Sequence, residues 1–216
     1  MELKELTIAE VWPKILRRVI TCGNLIDIKN YGLTLEIGEP VQVTIHNPIY
    51  GRVCKGSGWN GAALEEYYRQ LTAPNNKYGF TYTYGKRLYN YIGVNQVKEN
   101  LDILDEDRNS RQAVAITWIP EQDLNSPSPP CMIIQDRWVR EGRLNMSVYF
   151  RSHDAFGAYP ANLYGFSRQL EEDANTLRVS PGKLYITSNK LHIYIRDVKK
   201  ACEVSNIEYP NLEVLK

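Results

Sequence analysis

The chain has 216 residues, enough for one domain with a sizeable core and too few for two independent ones. Its 26 Lys and Arg balance 25 Asp and Glu, and a net charge of +1 excludes a general electrostatic attraction to nucleic acid or anionic membrane, so any anion must be caught locally. No apolar run approaches the ~20 residues of a membrane span, and the opening MELKELTIAE has acidic residues where a signal peptide needs basic and apolar ones, which points to a cytoplasmic protein.

Taken in chain order, Ile8, Val11, Trp12, Ile15, Leu16 and Val19 form a helical stripe, and Thr7 and Glu10 are spaced as a capping box. Pro13 opposes a helix that starts so early. From Tyr31 to His46 the period becomes two (Leu33, Leu35, Ile37, then Val41, Val43, Ile45), broken by Gly38-Glu39-Pro40, which predicts two strands that a hairpin could join. Ala62 to Leu71 and Gln96 to Leu104 are helical in composition. Gln112 to Trp118, Met132 to Trp138 and Arg143 to Phe150 are β-rich, the last two joined through Arg140-Glu141-Gly142. The polar stretch from Asp123 to Pro130 is a loop rather than a domain boundary. Pro160 to Glu172 reads as a helix with proline near its first turn, followed by short strands around Leu184 and Ile193 and a closing helix from Asp197. The expected architecture is α+β over a single domain, 1–216, with a mixed, largely antiparallel sheet and helices packed on one face.

Several motifs carry little. Gly56-Ser-Gly-Trp-Asn-Gly61 matches G-x-G-x-x-G, but the preceding Asn47 to Lys55 contains Pro and Gly and is no buried strand, so it reads as an ordinary loop. His46, His153 and His192 have no zinc-ligand spacing, and Gly85-Lys86 lacks the surroundings of a P-loop, so neither a metal nor a triphosphate is expected. The four cysteines, at 22, 54, 131 and 202, lack C-x-x-C spacing and read as free thiols. Cys131 differs from the other three. It follows Pro129-Pro130 at a loop-to-strand junction, and Arg151 ends the adjoining strand, where a cation would favour the nucleophilic thiolate.

The polar groups that follow make the pattern specific. Pro-Pro-Cys131, then Arg151-Ser152-x-Asp154 with Pro160-x-Asn162, then His192-x-Tyr194, resembles the thymidylate synthase family in residue type, order and spacing. Tyr84-Gly85-Lys86 and the segment from Asp107 to Arg111 resemble family positions upstream. Arg-Ser-His-Asp-x-x-Gly-Ala-Tyr-Pro-Ala-Asn, with His-Ile-Tyr downstream in a short chain, is most similar to the archaeal branch.

The resemblance implies a thymidylate synthase-like fold whose sheet face serves dimerisation, and reductive methylation of dUMP to dTMP by a methylene-carrying reduced pterin. It implies Cys131 as the nucleophile at uracil C6, Arg151 and Ser152 on the phosphate, and Arg111 reaching the phosphate of the other subunit of a homodimer. It places Asn162 on the O4 and N3–H edge of uracil, His192 and Tyr194 on the 3′-hydroxyl, Tyr84 near the thiol and the C5 proton, and Asp154 on the pterin. Glu66, or Glu65 in the alternative register, matches the glutamate that organises proton transfers.

Departures are visible too. Gln112 stands where a second arginine is usual, Arg17, Arg18 and Arg52 are undecided candidates for the N-terminal basic loop, and Met132 replaces the histidine that usually follows the cysteine. The segment between Glu66 and Tyr84 and the tail ending Leu-Glu-Val-Leu-Lys216 are short for the family, so the cofactor half is less well matched than the nucleotide half. The carrier is then either 5,10-methylenetetrahydrofolate or a relative such as methylenetetrahydromethanopterin, without metal. Alternatives are a pyrimidine nucleotide hydroxymethylase, in which water captures the exocyclic methylene, and a non-catalytic nucleotide- or RNA-binding homologue. Neither a membrane nor an obligatory nucleic-acid partner is expected.

Overall fold

The computed structural model describes residues 1–76 and 79–210. Its first helix, α1 (Ile8–Cys22), begins where the capping box places it. The Thr7 hydroxyl accepts from the Glu10 N–H, and the Glu10 carboxylate accepts from the Thr7 N–H. Pro13 lies inside this helix. The carbonyl it leaves without a helical donor belongs to the exposed Ala9, where water can satisfy it. The stripe from Ile8 to Val19 is buried, and the Trp12 indole N–H donates to the Ala155 carbonyl at 2.8 Å, tying α1 to the loop that follows Asp154.

Before and after α1 come β1 (Glu2–Glu5), β2 (Asn24–Ile28), β3 (Gly32–Glu36) and β4 (Val41–Ile45). The two strands expected between Tyr31 and His46 exist, but no hairpin joins them. β3 pairs with β2, whereas β4 pairs with β1 in a different sheet. The break at Gly38-Glu39-Pro40 is where the chain changes sheets. Next come α2 (Gly61–Thr72), capped by the Asn60 side chain, α3 (Tyr84–Tyr89) and α4 (Gln96–Glu106). The G-x-G-x-x-G stretch is the loop that leads to this Asn60 cap. The short β5 (Val114–Ile116) is followed by a single turn, α5 (Pro120–Asp123), so Asp123 closes a helical turn rather than opening a loop.

The long strands β6 (Met132–Arg140) and β7 (Arg143–Phe150) form the expected hairpin. Glu141 and Gly142 both have positive φ, 51° and 67°, the backbone that a two-residue hairpin turn requires. β8 (His153–Asp154), α6 (Tyr159–Thr176), β9 (Ser180–Ser188), β10 (Leu191–Tyr194) and α7 (Ile195–Ser205) complete the described chain. β9 spans nine residues rather than the short strand anticipated around Leu184. Two sheets result. One has six strands in the order β1-β4-β9-β7-β6-β5, and the other four in the order β2-β3-β10-β8. Both mix parallel and antiparallel pairs, and the architecture is α+β as expected.

Alternation along the large sheet separates its faces. α1 and α6 pack on one face, over Val43, Val148 and Ile186, and the opposite face carries Val114, Ile116, Ile134, Trp138, Tyr149 and Tyr185, each at least partly exposed. Two ion pairs are buried at the core margin: Arg137 with Asp173, and Arg87 with Asp123 in a two-pronged contact at 3.0 and 3.1 Å. Asp123 also accepts the Ile119 N–H at 2.7 Å, so it fixes the segment leading towards Cys131.

Removing one partner of such a pair leaves an uncompensated charge in a dry site. Asp123→Ala is expected to lower unfolding stability by about 3–5 kcal/mol in denaturant titration. A loss below about 1 kcal/mol would show that the pair contributes little.

Candidate functional site

A cavity of about 510 Å³ opens where the end of the β6–β7 hairpin meets the small sheet. That volume lies within the ~300–1,000 Å³ of small-ligand clefts. The hairpin end supplies Cys131, Arg151 and Ser152. The small sheet and its connections supply Thr34, Glu36, Asp154, Lys190, His192 and Tyr194, and α6 supplies Asn162. Tyr67, Tyr82 and Tyr84 form an aromatic wall beside the thiol. Eight of the ten residues singled out in the sequence therefore meet in one place: Cys131, Tyr84, Arg151, Ser152, Asp154, Asn162, His192 and Tyr194.

The thiol is held by its neighbours. The strand register slips between Met132 and Ile134, a bulge that re-aims the chain just after Cys131. Arg151 Nε donates to the Pro130 carbonyl and Nη2 to that of Pro129, both at 2.8 Å, and Nη2 lies 3.9 Å from Cys131 Sγ. The Pro-Pro segment is thus an anchor for the arginine, and Nη1 is left as the end able to meet an anion. Cys22 is exposed and Cys54 and Cys202 are buried, whereas Cys131 is partly exposed and lines the cavity. Arg151 favours the thiolate, as expected from its position, but it does not decide the balance. Burial raises the Cys131 pKa above its ordinary 9.0, Arg151 pulls it down, and Asp154 pushes it up, so the thiol is neutral at pH 7.

On the opposite wall, the Asp154 Oδ1 accepts from the N–H groups of Phe156 and Gly157, both at 3.0 Å. A Cβ at Gly157 would stand 2.5 Å from Asp154 Oδ2, so any larger residue there would have to push the carboxylate aside. His192 Nδ1 lies 3.0 Å from the Lys190 carbonyl. A carbonyl only accepts, so Nδ1 carries the proton and Nε2 is left as an acceptor. The Tyr194 ring meets His192 edge-on at 5.2 Å, and the Arg196 guanidinium lies over it at 4.4 Å. Burial, reinforced by Asp154, raises the Tyr194 pKa and keeps its hydroxyl protonated. Tyr84 accepts the Met132 N–H at 3.1 Å, and its phenol is also held protonated by burial.

Two expected residues do not line the cavity. Arg111 is exposed just ahead of β5. Glu66 pairs with Arg69 at 3.2 Å, and Glu65 is engaged by Arg168 at 2.5 Å and by the Tyr164 hydroxyl. The α2 side chain that does face the cavity is their neighbour Tyr67, whose hydroxyl donates to Asn162 Oδ1. Arg17 donates to the Ser205 carbonyl and Arg52 pairs with Glu171, and neither they nor Arg18 line the cavity. Met132 is fully buried with its side chain in the core.

Sequence reasoning missed Tyr67, Tyr82 and Lys190 and gave His153 no role. Tyr67 was detectable as a polar-tipped aromatic beside the apolar stripe Leu64, Tyr68 and Leu71. Lys190 carried no signal, because a lysine in a turn between strands is ordinarily solvated. Among the described residues, no group of three or more His, Cys, Asp or Glu side chains is arranged to hold a metal ion, and no helix is long and apolar enough to cross a membrane.

The sequence model of the family described as thymidylate synthase matches residues 50–215, which include the whole thiol, arginine and asparagine constellation. The chain belongs to the thymidylate synthase family. It is 37% identical over 199 residues to a protein of Methanococcoides burtonii, covering 92% of this chain and 91% of the relative. Identity to a Methanosarcina acetivorans protein is 38%, covering 88% of each chain. With a Methanothermobacter marburgensis protein it is 37%, over 91% of this chain and 94% of the relative. Each bears the name "Putative thymidylate synthase". The thymidylate synthase fold and its archaeal type are thus shared along most of the chain, and membership places the protein among the nucleotide-methylating transferases.

Because burial outweighs the arginine, alkylation of Cys131 by iodoacetamide is expected to rise with pH to a midpoint above 9.0. Arg151→Ala, which removes the lowering influence, is expected to move that midpoint higher still. Mass-spectrometric rates for the Cys131 peptide check both, and a wild-type midpoint below 8 would contradict the assignment of burial as dominant.

Proposed function

We propose that the protein is a single-domain, cytoplasmic thymidylate synthase that methylates dUMP reductively through a covalent bond from Cys131 to uracil C6. The observation that carries this reading is the convergence of Cys131, Arg151 and Asn162 on one cavity, with a thiol and a guanidinium side by side on the hairpin end and a base-reading amide on α6.

The phosphate meets Arg151 Nη1 and Ser152, and Lys190 lines the same cavity as a further cation. Lys190 offsets the arginine missing at Gln112. His192 Nε2 accepts a hydrogen bond from the 3′-hydroxyl, and Tyr194 completes that contact. Cys131 Sγ then bonds to C6, and as the bond forms its proton passes to solvent water in the open cavity. The C5–C6 π pair moves towards C5 and O4, where Asn162 donates a hydrogen bond to the developing charge. The Arg151 contact at 3.9 Å stabilises the thiolate as it appears. Tyr84, fixed by the Met132 N–H, is placed to relay the C5 proton, and with Glu65 and Glu66 outside the cavity Tyr67 takes the place assigned to the glutamate.

A methylene-carrying reduced pterin supplies the one-carbon unit and the hydride when bound. The cavity fits such a group: Asp154 keeps Oδ2 open to ring N–H donors while Oδ1 is satisfied by backbone, and Ile28, Tyr31 and Tyr82 give an apolar lip. Arg111, exposed beside the open sheet face, is placed to serve the phosphate site of a second copy, and that face, with Val114, Ile116 and Ile134, suits homodimerisation. Retention of the thiol, arginine and amide argues against a non-catalytic binder. Met132 points into the core, so its departure from the usual histidine lends the hydroxymethylase no support.

Incubation with 5-fluoro-dUMP and either methylenetetrahydrofolate or its methanopterin analogue is expected to give a stable protein adduct by mass spectrometry with at least one carrier. Cys131→Ser should abolish it, and an adduct retained in that variant would sink the nucleophile. With dUMP itself, dTMP and oxidised pterin are expected, whereas hydroxymethyl nucleotide would identify the alternative reaction. Asn162→Asp is expected to shift preference towards dCMP, and an unchanged ratio of kcat/KM values would refute the reading of the base edge.

A further inference from the structure

His153 lies inside the Arg-Ser-His-Asp run yet is almost fully buried, between the rings of Phe150 (centroids 3.7 Å apart) and Tyr159 (4.3 Å). Its Nε2 is 2.9 Å from Asn162 Nδ2, and its Nδ1 is 2.9 Å from Ser188 Oγ. On the far side of the amide, Asn162 Oδ1 accepts from Tyr67. Burial, with His192 nearby, holds the imidazole pKa well below its ordinary value, so the ring is neutral with one donor and one acceptor. Asn162 Nδ2 can only donate, which makes Nε2 the acceptor and puts the ring proton on Nδ1, donated to Ser188.

The chain Tyr67, Asn162, His153, Ser188 therefore runs in one sense. Nδ2 keeps a second N–H and Oδ1 a second lone pair, and Asn162 lines the cavity, where the two form one donor–acceptor pair. A uracil edge, with O4 accepting and N3–H donating, matches that pair. A cytosine edge, with N3 accepting and the amino group donating, needs the amide turned over. Turning it over sets Oδ1 against the Nε2 lone pair, unless the ring also changes tautomer and the Ser188 hydroxyl reverses. We propose that His153, backed by Ser188, is a positioning residue that sets pyrimidine specificity by fixing which way the Asn162 amide faces. The proposal rests on the dUMP reading above. It assigns discrimination to a buried imidazole rather than to Asn162 alone.

The test compares full-length wild type, His153→Phe, which keeps a ring in the stack, and His153→Gln, which returns an acceptor near Nε2. Calorimetric Kd values for dUMP and dCMP, and kcat and KM for dUMP, are measured on each. In the Phe variant the dUMP-to-dCMP affinity ratio is expected to fall about tenfold, the scale of one buried hydrogen bond, with KM rising more than kcat falls. The Gln variant is expected to recover most of the ratio. A Phe variant that folds and keeps the wild-type ratio overturns the proposal. A wild type that binds no dUMP overturns the nucleotide reading and this inference with it, whereas dUMP binding with unaltered discrimination removes this inference alone. If the Phe variant fails to fold, ¹⁵N spectra of wild-type histidines decide. A bare Nε2 with a protonated Nδ1 supports the proposal, and the opposite tautomer or a charged ring refutes it.

Discussion

The site depends on a single guanidinium tether. Arg151 stands where β7 ends, and two of its N–H groups are held by the carbonyls of Pro129 and Pro130 on the segment that enters β6. Its backbone N–H also donates to the Cys131 carbonyl at 2.9 Å. Proline carbonyls suit this purpose, because the rings limit the backbone freedom of the acceptors and a planar donor fork meets a nearly fixed target. One side chain thereby sets the height of the thiol, the direction of its own free end and the mouth of the cavity. Replacing it with lysine would keep the charge but lose the two-pronged anchor.

Around that tether the cavity walls come from parts of the chain far apart in sequence. The small sheet brings Glu36, Asp154, His192 and Tyr194 together through pairings of β10 with β3 and β8. The Trp12 bond to Ala155 fixes the loop between Asp154 and α6 from below. The tyrosine wall lies beside Cys131, whose thiol burial keeps neutral, and it provides hydroxyls that stay protonated because their own pKa values are raised by burial. A buried neutral thiol is protected from oxidation and stray alkylation.

Much of the architecture was legible from pattern alone. The Thr7–Glu10 box, the β6–β7 hairpin and the start of α6 by Pro160 are local arrangements, decided by interactions within a few residues. The strands around Leu35 and Val43 were legible as strands, but which sheet each joins depends on partners more than a hundred residues away, β10 and β9. β1 and β2 escaped notice because edge strands need no apolar alternation. In the site, Cys131, Arg151, Asp154 and Asn162 stood out as an ordered motif. Tyr67 and Lys190 did not, since their types are common on helices and turns.

The sequence by itself determined the near-neutral charge, the order of the motif residues and the residue types, a thiol, an arginine and an amide, that the proposed pyrimidine site uses. Tertiary structure decided their states. Whether Arg151 ionises Cys131 turns on the balance between one cation and the burial around the thiol, and burial prevails. Whether α2 offers a carboxylate or a phenol turns on helix rotation against α6, and Tyr67 faces inward. Desolvation and side-chain direction are properties of neighbours brought together by folding, and no spacing along the chain encodes them directly.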